Sequence, residues 1–190
     1  MEDRGSKPLN YPSECEEELT LATGQQIAIR PILPEDAQRL QASFRKLSPQ
    51  TIFLRFLETF KELSDKQAYH FANLDYQTHM ALVALIHEAG AQQIIGVARY
   101  AILKDQPGYV EAAIVVRDDF QNLGLGTILM DRLAHYAITQ RMKAFVATVH
   151  TSNARIRHFI QRSGLPNQKS MVEPGVWEIK IFLEAEGGSN

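Results

Sequence analysis

The chain has a single cysteine, Cys15, among 190 residues. A lone thiol cannot close an internal disulfide and lacks the second thiol of a redox pair or thiolate metal site, so a reducing cytoplasm is the expected location. No apolar run reaches eighteen residues, and the N-terminus has no charged stretch followed by an apolar one. Neither a membrane span nor a secretory leader is therefore expected. An excess of positive charge is missing too. The 20 Lys and Arg face 22 Asp and Glu, a formal charge of -2, without the basic surplus that a phosphate backbone demands. Nucleic acid and membrane are thus not expected partners. The six histidines offer no helical zinc pair: His70 and His79, His79 and His87, and His150 and His158 miss the i, i+4 spacing and have no cysteine nearby. No metal is expected.

What remains is ordinary globular material, 45% hydrophobic and 22% charged, enough for one core. Glu14, Glu16, Glu17 and Glu18, with Pro8 and Pro12, mark residues 1–18 as an acidic N-terminal arm. A folded domain is expected over 19–184 and a flexible tail over 185–190. Leu19–Leu21 and Ile27–Ile29 flank a Thr23-Gly24 turn and predict a hairpin. Pro34-Glu35-Asp36 opens a helix through Phe44, a second helix should run from Pro49 to Glu58, and Ser64 with Gln67 forms a capping box for a third. Apolar runs at Met80–His87, Ile94–Leu103 and Val110–Val116, joined by short loops, predict an antiparallel meander. A helix from Leu125, a strand at Ala144–Val149, a helix at Ser152–Ser163 and a strand at Val176–Leu183 complete an α+β domain with one mixed sheet.

Between the third meander strand and the following helix lies Gln121-Asn122-Leu123-Gly124-Leu125-Gly126-Thr127. Two glycines allow close backbone approach, and the free N–H groups of a helix start favour an anion such as phosphate. A dinucleotide fingerprint fails here, because Leu129 stands where a third small residue is needed and the next strand ends in His150 rather than an acid. A Walker loop fails for want of a lysine between Gly126 and Thr127. A plain tight turn remains the competing reading of the glycines alone.

Gln121-x-x-Gly124-x-Gly126, after a strand and opening a helix, resembles the pyrophosphate loop of the GNAT superfamily of acyl-CoA-dependent N-acetyltransferases. Downstream, His150-Thr151-Ser152-Asn153 with Ile156, Phe159 and Gly164-Leu165 resembles that family's strand, asparagine and helix. The N-terminal half sharpens the likeness. Ile29-Arg30-Pro31, Pro34-Glu35-Asp36, Leu47-Ser48-Pro49, Leu54-Arg55-Phe56 and Gly96-Val97-Ala98-Arg99-Tyr100 resemble the acetyltransferase domain of bacterial protein-lysine acetyltransferases. The resemblance implies a GNAT-like, mostly antiparallel sheet flanked by helices, with acetyl-CoA as cosubstrate. It also implies that Gln121, Asn122, Leu123, Gly124, Leu125, Gly126 and Thr127 hold the pyrophosphate, that Ile114, Val115 and Val116 hold the pantetheine arm, and that Asn153 touches that arm. A helix cap is the other reading of Asn153.

Acyl transfer to an amine requires that a lysine of pKa about 10.4 lose its proton, at a cost of roughly 4 to 5 kcal/mol at pH 7. Glu111 is the one charge in the apolar strand Tyr109–Val116, matches the glutamate base of the protein-lysine members, and is the candidate catalytic residue; a solvent-facing charge is the alternative. Many family members carry a tyrosine seven residues after the asparagine to serve the leaving thiolate, but Ile160 stands there, so no general acid is assigned. Arg55 reads either as a solvated charge or as part of acceptor recognition. The expected acceptor is a protein lysine. A small amine or polyamine, or a sensor that binds acyl-CoA without turnover, are the alternatives.

Overall fold

The computed structural model describes residues 7–183, so the tail expected over 185–190 and the first six residues of the expected arm lie outside it. The expected hairpin is β1 (Glu17–Thr20) and β2 (Gln26–Pro31), closed by Gly24 at φ +85°. Its first strand begins two residues before the boundary drawn at Leu19. Ahead of it, Tyr11 packs edge-on against Tyr76 at 5.6 Å and donates to Glu16 at 2.7 Å, so this stretch lies against the sheet.

Three helices follow: α1 (Ala37–Phe44), α2 (Pro49–Phe56) and α3 (Asp65–Ala72). Pro34–Asp36 forms a 3-10 turn, so α1 itself begins three residues later than expected, at Ala37. Ser48 caps α2 by accepting from Thr51 N–H, and Ser64 and Gln67 close the box at α3. α2 stops two residues before the expected Glu58, because Leu57 turns left-handed at φ +57°. The meander is β3 (His79–Glu88), β4 (Ala91–Ile102) and β5 (Tyr109–Val116). Ala89 and Gly90 join the first two, both at positive φ, the geometry that matches strand twist in a two-residue turn.

α4 (Leu125–Thr139), β6 (Ala144–His150) and α5 (Ala154–Ser163) come next, then β7 (Asn167–Glu173) and β8 (Val176–Phe182). β7 is an addition to the elements expected from the sequence. All seven of its residues are exposed, so it has no apolar alternation to betray it. It is an edge strand held by its pairing to β8.

The eight strands run in the order β1-β2-β3-β4-β5-β6-β8-β7. Every neighbouring pair is antiparallel except β5 and β6, as expected for an α+β domain. The sheet separates two cores. Ile95, Ala98, Tyr100 and Ala112 pack with Leu125, Leu129 and Leu133 of α4 on one face. Val83, Ile94 and Val97 pack with Leu40, Phe44 and Ile52 of α1 and α2 on the other. Gly96 permits the close seating of α4, since a Cβ there would lie 2.9 Å from Leu129 Cδ1. Among the described residues no helix is long and apolar enough to cross a membrane.

One buried carboxylate fastens the N-terminal helices to the sheet. Asp36 is fully buried and accepts from Arg30 at 2.7 and 2.9 Å, from Arg39 at 2.8 Å and from the Leu33 N–H at 2.8 Å. Burial alone would push this carboxyl up, but the hydrogen bonds and charge of Arg30, with Leu33 and Arg39, outweigh it and hold the pKa below the usual range. A depressed carboxyl stabilises the fold above its unfolded pKa of about 3.9, and that contribution is lost as pH falls through the lower folded value. Asp36→Asn, which strands Arg30, should cost about 3–5 kcal/mol at pH 7 by urea denaturation. The gap to the parent protein should narrow below about pH 4.

Candidate active site

The site begins where the sheet stops being a sheet. β5 and β6 pair only at Tyr109, Val110 and Glu111, opposite Ala144, Phe145 and Val146. β4 stays paired with β5 as far as Gly96 opposite Val116, and β8 stays with β6 as far as Val176 opposite His150. Beyond Glu111 the two middle strands therefore diverge. Arg117 N–H donates to Ile95 and Leu103 N–H to the Tyr109 carbonyl. By strand alternation, the odd-numbered residues of β5 thus turn their polar backbone toward β4 and the even-numbered ones toward the split. Ile114 and Val116 present open backbone groups there, apart from the Val116 carbonyl, which accepts from Gln121 Nε2 at 2.9 Å. Val115 differs: its backbone is committed to β4, and its side chain faces a second cavity.

A cavity of about 210 Å³ fills the split. Its walls include Glu111, Ile114, Met130, Asn153 and Ile160, with Leu54–Leu57 at its far end. Its polar side chains are Arg55, Glu111, Thr148 and Asn153. Ile160, buried against the core, supplies no hydroxyl. Cys15, half-buried beside the same core, is not among the lining residues.

Gln121 to Thr127 sits at the mouth of the split. Gly124 caps α4 in the left-handed region at φ +82°, and Asn122 is also left-handed at φ +63°. Gly126 lies close to β5, where a Cβ would stand 3.5 Å from Ile114 Cδ1 and 3.7 Å from Val116 Cγ2. Among the described residues no acceptor takes the N–H groups of Asn122 through Thr127. These amides and the positive end of α4 suit an anion. Gln121 acts differently, because its side chain ties the loop to Val116 and, at 3.2 Å, to Thr51 of α2. Asn153 caps α5 through Ile156 N–H at 3.2 Å, while its Nδ2 has no partner among the described residues.

Asp118 carries no signal in the sequence, and the surroundings of Arg99 and Arg55 emerge only from the structure. Asp118 accepts from Ser48 N–H and Ser48 Oγ, each at 2.8 Å, and from Thr51 Oγ1 at 2.7 Å, binding α2 to the loop. Burial would raise this carboxyl, but those donors and the charge of Arg155 hold it below its usual range. Arg99 stands diagonal to Glu111 across the β4–β5 ladder, with Val97, Val115 and Ala113 on the same face. Arg55 is half-buried rather than solvated, lining both cavities. Burial, aided for Arg55 by the charge of Arg99, pushes both guanidinium groups down to about 10 against the opposing pull of Glu111. Among the described residues no group of three or more His, Cys, Asp or Glu side chains is placed to hold a metal ion.

The profile of the acetyltransferase (GNAT) family matches residues 48–165, from the cap of α2 to the end of α5. A protein of Pseudomonas aeruginosa named as an acetyltransferase is 33% identical over 150 residues, 79% of this chain and 80% of that protein. Acetyltransferase Pat of Mycolicibacterium smegmatis is 32% identical over 145 residues, 75% of this chain but 42% of that longer protein. The crystal structure of the GNAT domain of PAT from S. lividans superposes with a TM-score of 0.81 at 26% identity, covering 91% of this chain and 99% of that one.

The Asp118 clamp is directly testable. Asp118→Ala removes a charged acceptor shared by two side chains and one amide, and should destabilise the fold by about 1.5–3 kcal/mol in urea. Amide hydrogen exchange should accelerate within Pro49–Phe56, with Asp118→Asn intermediate.

Proposed function

Because the chain belongs to the acetyltransferase (GNAT) family, we propose that it transfers acetyl from acetyl-CoA to a protein lysine, with Glu111 as general base. The observation that carries this reading is the split between β5 and β6. An unpaired strand edge and a cradle of free amides lie on one side of it, and a single carboxylate lies on its wall. The cradle suits a pyrophosphate, the Ile114 and Val116 backbone suits the amide-rich pantetheine arm, and Asn153 Nδ2 adds a donor within the same cavity. Glu111 is exposed, which supports an acceptor as large as a protein.

Acetyl-CoA supplies an activated acyl carbon when bound. The chain's residues do the rest. The cradle orients the donor, and Glu111 accepts the proton that the lysine ammonium must lose, directly or through a water. The amine nitrogen then bonds to the acyl carbon, the carbon–sulfur bond breaks with its electron pair going to the thiolate, and the second proton of the nitrogen passes to solvent or to the departing sulfur. Direct attack fits the cavity's lining, which includes no cysteine or serine and has Thr148 as its one hydroxyl. Ile160 puts no hydroxyl at its position to protonate the thiolate.

Mass spectrometry of host-lysate proteins incubated with the enzyme and labelled acetyl-CoA should find acetylated lysines. Tight CoA binding with no labelled acceptor would leave an acyl-CoA sensor instead. Glu111→Gln keeps the shape but cannot take a proton, so kcat/KM should fall roughly 100- to 10,000-fold near neutral pH. Part of the loss should return as pH rises toward the amine's own pKa, and superimposable pH profiles would remove Glu111 from the mechanism. Gly124→Glu places a negative side chain at a left-handed position in the cradle and should raise the CoA dissociation constant at least about tenfold, read by calorimetry.

A further inference from the structure

Two arginines beside Glu111 stand apart from the protein's other sheltered arginines. Arg30, Arg39 and Arg117, also buried or half-buried, each end on carboxylates. Arg55 and Arg99 end on none among the described residues; each sits over a neighbouring ring, its Cζ 4.6 Å from the centroid of Phe56 and of Phe71 respectively. A cation over a ring face is held there without spending its N–H donors on the ring. Those donors are not sealed in, since Tyr100 Oη is the one fully buried polar side-chain atom without a partner among the described residues. They open instead on two cavities. Arg55 lines both the 210 Å³ cavity, with Glu111, and a second of about 50 Å³, with Arg99 and Val115.

We infer that Arg55 and Arg99 form a carboxylate subsite for the acceptor, so that the preferred substrate carries an anion close to the amine that Glu111 deprotonates. This rests on the acetyl-transfer reading above, and it adds the substrate's charge pattern. Arg55 shares the larger cavity with Glu111, and Arg99 stands diagonal to Glu111 on the same sheet face, so two positive groups surround one negative group and a simple polycation would meet net repulsion there. A zwitterion meets complementary charge at both ends, its ammonium toward Glu111 and its carboxylate toward the guanidinium pair. The placement favours the acceptor over the donor. Arg99, Ala113, Glu111 and Val115 share the sheet face covered by α2, whereas the amide cradle at α4 lies against the opposite face. The carboxylate has two sources, an acidic side chain flanking a lysine in a protein or the α-carboxylate of a small amino acid.

Paired acceptors separate these sources. One pair is a blocked lysine peptide with glutamate neighbours against the same peptide with glutamine neighbours. The other is Nα-acetyl-lysine against its amide. In at least one pair the carboxylate form should have a kcat/KM roughly 10- to 100-fold higher, chiefly through KM, and the advantage should shrink as ionic strength rises. In Arg55→Gln and Arg99→Gln the ratio within that pair should approach one, with Arg99→Lys retaining part of it. Because the readout is a ratio, a general loss of activity cancels. Should the variants fail to fold, the salt dependence of the ratio in the parent protein decides alone. Equal rates within both pairs, or a preference that survives both glutamine variants, overturns the subsite. So does a preference for succinyl-CoA over acetyl-CoA with the amide acceptor that depends on the same arginines, since the anion would then sit on the donor. Calorimetry of the same pairs on CoA-loaded protein distinguishes the two readings. Preferential binding without turnover sinks the acetyl-transfer reading and keeps the subsite, whereas turnover without preference does the reverse.

Discussion

The interruption of the β5–β6 ladder after three residue pairs is the constraint on which the rest of the molecule turns. Unpaired backbone amides and carbonyls are costly when sealed in an apolar interior and tolerable where a solvent or ligand can reach them. The split therefore has to open on a cavity. Side chains of α4 and α5, among them Met130, Ile156 and Ile160, wall it on one side, and the end of α2 closes the other. The cavity, the open edge at Ile114 and the position of Glu111 at the last paired rung are one geometric fact seen from three directions.

Much of the fold was legible because its signals are local. Capping and proline signals placed the helices and alternation placed the meander, with errors of one to three residues, as where β4 begins at Ala91 rather than Ile94, where a left-handed Leu57 ends α2 and where a capping Asn153 starts α5. β7 was not legible, because an exposed edge strand held by its neighbour's backbone carries no hydrophobic period. The divergence of β5 from β6 was equally hidden, since each strand alone reads as an apolar run. The single-residue signal that singled out Glu111, one charge in an otherwise apolar strand, was also present at Arg99 in β4. Only the register shows that the two stand diagonal to one another.

The loop at Gln121 shows how a motif divides its labour. Gln121 is spent on shape, holding Val116 and Thr51, while the backbone from Asn122 to Thr127 is left free to donate. Asn153 likewise caps a helix with one end of its amide and leaves the other end open. Asp118 and the Gln121 side chain both couple the loop to α2, so the helix carrying Arg55 and the helix start carrying the free amides are fixed to each other through one carboxylate and one amide.

The two cores on opposite faces of the sheet have a consequence for how this chain can vary. Val97 and Ala98 are covalent neighbours, yet one packs with α1 and α2 and the other with α4. Along β4 the sequence thus interleaves two independent packing problems, residue by residue, with the backbone as their shared partition. Substitutions at sites that touch nothing in common combine additively. Drift on one face can therefore proceed without repair on the other, and distant members of such a lineage can share one half of their interior while having rebuilt the second.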